Sequence, residues 1–310
     1  MVGARALTAP RRYDPAMRYG LALPNFTDLG STEAIEAAAD TADRLGFESV
    51  WTTDHVLVDR SNDAADYRVN FDAIQTLAWV GAKHPGLGLG TSVIVVPQRN
   101  AVVLAKELAT LDALSSGRLT VGVGVGWNER EFANLGEADR FHVRGAYLDE
   151  TIALWRHLWS GSSEPFAGRF HSFDDFIFGP LPAQRSSLPI WIGARTEPAL
   201  RRVGRLADGY HSSATSPEAF AMRVPTIRDA AHAAGRPMPT LTARVRVSFD
   251  EPAQSSAARP YAIRGNIEEM RGEIEKWQDL DVELLVLWFA ADTPAAQVAA
   301  AERFMREVAE

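Results

Sequence analysis

From about Arg18 onward the apolar positions switch repeatedly between two spacings, a short unbroken run and then a stripe repeating every three or four residues. Tyr19 to Pro24 is the first run, and Ile35, Ala38, Ala42 and Leu45 then share one helical face, with Ser31 and Thr32 as candidate N-caps and Gly46 as the stop. Phe47 to Thr52 predicts a second strand and Phe71 to Lys83 a second helix. Leu87 to Val96, closed by Pro97, predicts a third strand, and Leu104, Leu108 and Leu111 mark the helix after it. A valine-glycine alternation before Gly-Trp-Asn is the fourth strand. Leu148, Ile152, Trp155 and Trp159 then line a long helix. The remaining strands are predicted at Pro189 to Gly193, Gly209 to Ser213, Thr240 to Phe249 and Val282 to Phe289. Ile267, Met270, Ile274 and Trp277 form the stripe of the helix before the last of these. Ser216-Pro217 and Thr293-Pro294 match an N-cap followed by proline in the first turn, and Thr196 opens another helix.

Eight such alternations predict one α/β domain, a (β/α)8 TIM barrel over residues 17–310, rather than a doubly wound sheet with a second domain. Glu164 to Gln184, rich in aromatic, glycine and proline residues, breaks the rhythm and reads as an inserted hairpin and loop. Residues 1–16, framed by Pro10 and Pro15 without periodicity, read as a flexible arm. In this fold chemistry sits at the C-terminal strand ends. The positions to weigh are therefore Asn25, Asp54, His55, Ser92, Val93, Gly126 to Asn128, Gly193 to Thr196 and His211.

The segment SGRLTVGVGVGWNEREF, Ser116 to Phe132, carries the strongest local signal. Alternate side chains of a strand point to opposite faces, so Gly122, Gly124 and Gly126 strip one face bare while the valines pack the other. Either a ligand or another backbone approaches there, or the barrel interior is simply tight. The spacing is not that of a dinucleotide fingerprint, because Trp127 and Glu129 stand where the last glycine belongs. No lysine follows a glycine in the manner of a phosphate loop.

A net charge of -8 argues against a general nucleic-acid binder or a partner for acidic membranes, so any anion needs a local arrangement of donors. Without cysteine there are no disulfides, thiolate metal sites or cysteine nucleophiles. The histidines form no metal-binding motif, and no metal is expected. The N-terminal stretch lacks the apolar run of a signal peptide, which predicts a cytoplasmic protein.

Four stretches, FESVWTTDHV (47–56), LGTSVIVVPQRNAVVLAKELATLDALSSGR (89–118), LTVGVGVGWNEREF (119–132) and PIWIGARTEPALRRVGRLADGYHSS (189–213), resemble the luciferase-like monooxygenase superfamily, specifically its coenzyme F420-dependent oxidoreductase branch. The resemblance implies a deazaflavin ring held across the barrel mouth, with the Ser92-Val93 bond as a non-proline cis peptide behind it. It further implies Gly124, Val125 and Gly126 as a smooth wall, and Asn128 either on the ring's polar edge or as a loop cap. Gly193, Ala194, Arg195 and Thr196, free amides at a helix start beside a guanidinium, would hold the ribityl-phosphate side. Asp54 belongs to the cofactor set by the same resemblance, and His55 occupies the position of an active-site histidine able to donate or accept a proton.

Two positions depart from the family pattern. Trp127 stands where the sugar-phosphate dehydrogenase branch carries an acid that protonates the cofactor, and Glu129 and Glu131, close by in sequence, need not reach the ring. Ala101 replaces a frequent proline at a helix entry. The expected function is hydride transfer between F420 and a small organic substrate, bordered by Asn25, His55, the Tyr67 to Asn70 insertion, Trp127 and the Glu164 to Gln184 loop; Trp127 with Phe166, Phe170, Phe173 and Phe176 suggests an apolar or aromatic substrate, with loop packing as the other reading of these aromatics. An FMN-dependent monooxygenase is the alternative cofactor reading, and a non-catalytic flavin-binding or deazaflavin-binding protein is the alternative of another class. A sugar hydrolase finds no pair of strand-end carboxylates. A homodimer is expected from the resemblance.

Overall fold

A computed structural model describes residues 17–249 and 261–309, so the arm expected over residues 1–16 lies outside the described residues. Its first half runs β1 (Arg18–Ala22), α1 (Thr32–Leu45), β2 (Ser49–Thr52), α2 (Ala73–Lys83), β3 (Gly88–Thr91), α3 (Ala101–Leu114) and β4 (Leu119–Gly124). The short α4 (Glu129–Asn134) and long α5 (Ala138–Trp159) lead to β5 (Ile190–Ile192), α6 (Glu197–Leu206) and β6 (Gly209–Ser213). Then follow α7 (Pro217–Ala221), α8 (Val224–Ala233), β7 (Thr240–Ser248), α9 (Ile267–Gln278), β8 (Leu284–Phe289) and α10 (Pro294–Glu307). These strands pair in parallel with their chain neighbours, and β8 pairs with β1 to close the (β/α)8 barrel. Ile94–Val95 pairs alongside β4, and Ala262–Arg264 alongside β7.

The local signals act where the sequence puts them. Ser31 accepts from the Ala34 amide, Gly46 ends α1 at φ 77°, and Ser216 and Thr293 cap α7 and α10 through Ala219 and Ala296. Most of the apolar core lies between the barrel wall and the helices, whereas a smaller cluster fills the barrel's interior. There Trp51 stacks on Trp191 at 5.3 Å and on His211 at 5.1 Å. A Cβ added at Gly90 would come within 2.4 Å of the Trp51 ring, and one at Gly209 within 2.4 Å of Trp191, so these two strands carry glycine because the neighbouring indole occupies the space.

The insertion after α5 contains the expected hairpin, Phe166–Ala167 paired with Ser172–Phe173. Its tip is tied to α5 by Glu150, whose carboxylate accepts from the Arg169, Phe170 and His171 amides. Its aromatics pack on one another and on that helix, with Phe170 against Tyr147 and Phe166 against His157. Their burial is thus accounted for by docking on the outer helix layer, which is the loop-packing reading of these aromatics. Gln184, at the exit, donates its amide and side chain to the buried Asp112 carboxylate of α3. Among the described residues no helix is long and apolar enough to cross a membrane.

Candidate active site

The third strand was expected to run unbroken from Leu87 to Val96, but it stops at Thr91 and resumes at Ile94. Leu89 and Gly90 lie opposite Leu119 and Thr120, whereas Ile94 and Val95 lie opposite Val123 and Gly124. The third strand therefore carries one extra residue, a bulge, and the Ser92-Val93 bond within it is cis, as the resemblance implied. The bulge explains the glycines. A Cβ at Gly122 would sit 1.8 Å from the Thr91 carbonyl oxygen, one at Gly124 2.7 Å from Val93, and one at Gly126 2.7 Å from Val95. Gly126 also has φ 80°, which disfavours any side chain. The stripped face of β4 thus receives the Thr91 backbone at Gly122 and the side chains of Val93, Val95 and Phe132 at Gly124 and Gly126, while Val93, Val125, Gly126 and Gly193 remain partly exposed at the mouth.

His55 lies just past the end of β2 and its Nδ1 is 2.8 Å from Oε2 of Glu131. Glu131 is wholly buried. Its other oxygen accepts from the amides of Val56 (2.7 Å) and Leu57 (3.2 Å), and Gln98 donates to Oε2 at 2.9 Å. Burial alone would raise the pKa of this carboxyl, but the donors from His55, Gln98 and Val56 outweigh it and hold the group below its ordinary range. An ionised carboxylate can only accept, so Nδ1 of His55 carries the hydrogen and Nε2 is the position free to exchange a proton. Nε2 has no hydrogen-bond partner among the described residues and is not sealed from solvent. The imidazole lies 4.1 Å from the Tyr67 ring and 5.9 Å from that of the half-exposed Trp127. The structure thus brings Glu131 into the site through His55. The sequence signal that could have found it is its position three residues after the N-cap Asn128, on a helix that starts at a strand end.

Three expected ligand contacts have other duties. Asp54 directs Oδ2 to the Val95 amide at 3.0 Å and Oδ1 to Arg99 at 2.6 Å, so this carboxylate secures the bulge rather than facing the mouth. Burial opposes the charge on Arg99, but Asp54 and then Asp72 hold its pKa above the ordinary value. Asn25 is fully buried and spends its side chain on Thr53 and Phe71, donating to the Thr53 carbonyl at 2.7 Å and accepting from the Thr53 amide at 2.9 Å. It orders the strand ends and cannot also touch substrate. Asn128 uses its side-chain oxygen as the N-cap of α4, at 3.2 Å from the Glu131 amide.

The Gly193 to Thr196 turn opens α6, as expected. Thr196 makes no side-chain cap bond, Arg195 is exposed with Nη2 3.0 Å from the Ser213 carbonyl, and Glu197 is engaged by Arg201. The turn therefore keeps a hydroxyl, a guanidinium and a helix start available to an anion. Below it, Thr242 donates to the Tyr210 carbonyl at 2.9 Å, so it accepts from Nδ1 of His211 at 2.9 Å. Nε2 of His211 then accepts from the Ser92 hydroxyl at 2.8 Å. Burial, aided by nearby Arg244, pulls the His211 pKa down to about 3. No group of three or more His, Asp or Glu side chains suited to a metal occurs among the described residues.

An F420-dependent glucose-6-phosphate dehydrogenase of Nakamurella multipartita is 32% identical over 245 residues, covering 76% of this chain and 69% of that protein. The fold matches that of the coenzyme F420-dependent tetrahydromethanopterin reductase of Methanopyrus kandleri with a TM-score of 0.77 at 18% identity, over 94% and 98% of the two chains. It also matches an FMN-bound type II Baeyer-Villiger monooxygenase of Pseudomonas putida with a TM-score of 0.77 at 14% identity, over 95% and 98%. The luciferase-like monooxygenase family model spans residues 17–308, from the first barrel strand to the last helix, and the chain belongs to that family.

Proposed function

We propose that the chain is an oxidoreductase that binds coenzyme F420 across the barrel mouth and moves a hydride between the deazaflavin and a small organic substrate. The observation that carries this is the His55–Glu131 pair, whose exchangeable Nε2 opens beside a side-chain-poor strand end. The residues present suit the cofactor. Val93, Val125, Gly126 and Gly193 offer a flat, partly exposed surface for fused rings, and Arg195 with Thr196 and the start of α6 offers donors for a phosphate-bearing tail. When bound, the deazaflavin supplies the carbon that gives or takes the hydride. The chain supplies the rest: Glu131 fixes the orientation and tautomer of the imidazole, and His55 moves a proton at Nε2. Trp127 cannot serve as an acid, so the proton work of this site falls to His55.

F420 is favoured over FMN because the relative at 32% identity is named for F420, whereas the FMN-bound neighbour shares only the fold at 14%. Homodimerisation, carried by the family resemblance, belongs to the same proposal. The test is turnover with each reduced cofactor against a panel of carbonyl and unsaturated compounds. Reoxidation of the reduced deazaflavin without oxygen uptake is expected. Incorporation of oxygen into the organic substrate with reduced FMN, and no reaction of the deazaflavin, would establish the monooxygenase reading instead. Tight cofactor binding with no hydride exchange at all would leave the non-catalytic one.

A further inference from the structure

We propose that Arg244 anchors a carboxylate on the substrate, so that the enzyme acts on a flat, apolar or aromatic organic acid; this rests on the hydride-transfer reading of the same mouth. Arg244 projects from β7 into the barrel mouth, where its Nη1 donates to Thr53 Oγ1 at 2.7 Å and to the Ser92 carbonyl at 3.2 Å. Both hydrogens on Nη1 are then spent. Nε and Nη2 form the other edge of the guanidinium, and they make no hydrogen bond to the described residues, yet neither is sealed from solvent. No carboxylate among the described residues pairs with this cation. Burial pulls its pKa down, offset in part by Tyr67 nearby. A half-buried charge without a counterion is costly, and an anion that arrives with the substrate removes the deficit.

The free edge offers two parallel N–H groups, the geometry that a planar carboxylate accepts in pairs. The surroundings are aromatic. The guanidinium carbon lies 4.9 Å from the Phe26 ring and 5.8 Å from that of Trp288, and Phe26 stacks on Tyr67 at 6.0 Å. Phe26 is buried, but Tyr67 and Trp288 are partly exposed, so an apolar acid finds a wall for its body as well as a partner for its charge. Its hydrogen bonds distinguish this cation from the anion donors already assigned, since Arg195 is held to the Ser213 carbonyl and Arg244 to Thr53 and Ser92. Arg195 and Thr196 follow β5, whereas Arg244 stands between β7 and the ends of β2 and β3, on the His55 side of Ser92.

The experiment is calorimetric titration of the F420-loaded wild type, R244K and R244M with benzoate, the neutral isostere benzamide and phenyl phosphate. Benzoate is expected to bind wild type about 10- to 100-fold more tightly than benzamide, the range of a charge-assisted pair of hydrogen bonds. R244K should keep part of that preference and R244M should lose it, with F420 affinity in both within about twofold of wild type. The proposal is overturned by benzoate binding no tighter than benzamide, by phenyl phosphate binding more tightly than benzoate, or by R244M loosening F420 as much as benzoate. If the wild type takes up no F420, the cofactor reading fails by itself, and the same titrations on cofactor-free protein still judge Arg244.

Discussion

Glu131 receives hydrogen bonds from a ring nitrogen, a side-chain amide and two backbone amides, so its replacement tests orientation and charge together. E131Q keeps an oxygen for the amides but turns an acceptor for Nδ1 into a competing donor. Turnover is expected to fall about 10²- to 10⁴-fold, with F420 affinity little changed and the pH profile of kcat displaced. A parallel loss of cofactor affinity would mean that the residue only shapes the mouth. A second expectation concerns His211, whose folded pKa of about 3 lies below the ordinary value near 6.5. The unfolded chain takes up the proton first, so the stability due to the neutral ring is complete above about pH 6.5 and declines as pH falls toward 3. One proton corresponds to a slope of about 1.4 kcal/mol per pH unit. H211Q should flatten the denaturation free energy between about pH 6 and 4.5, and an unchanged slope would contradict the buried neutral imidazole. Glu131, whose pKa is depressed, contributes in a separate window: its share is complete above about pH 4.3 and lost as pH falls through the folded value. His55 and the Gly193 to Thr196 turn were visible in the sequence because they sit at strand ends. Glu131, Gln98 and Arg244 were not, because their roles arise from contacts between elements 33 to 191 residues apart, which no local pattern encodes.

At the scale of elements, the decisive feature is the third-strand bulge and the glycine face it fills. G124A would place a methyl 2.7 Å from Val93, and G126A would add positive-φ strain to a clash with Val95 and Phe132. Each should cost about 1–3 kcal/mol in denaturant unfolding and displace the Val93 surface, weakening F420 binding as well. If G124A is as stable as wild type with unaltered cofactor affinity, the bulge does not lean on that glycine. The alternation of β4 was legible as a strand with a bare face, but what covers that face was not. A ring and a neighbouring strand both favour glycine at the same spacing, and only the register offset between β3 and β4 brings the Thr91 carbonyl and the Val93 and Val95 side chains into that space. The hairpin carries the same lesson. Its aromatics mark burial, and Glu150 together with Tyr147 determines that they are buried against α5.

For the whole molecule, the order of eight strands and their helices was legible because each element buries a single stripe and carries its own caps, as Ser31, Gly46, Ser216 and Thr293 show. What the mouth accepts depends on charges and rings contributed by β2, β3, β4, β7 and β8 together, and sequence order alone leaves that arrangement open. The central claim is that this mouth takes a deazaflavin. Fluorescence titration of the purified protein with coenzyme F420, and separately with FMN, tests it most directly. The account expects saturable micromolar binding of F420 with FMN at least about tenfold weaker. Micromolar binding of FMN with none of F420 would contradict it.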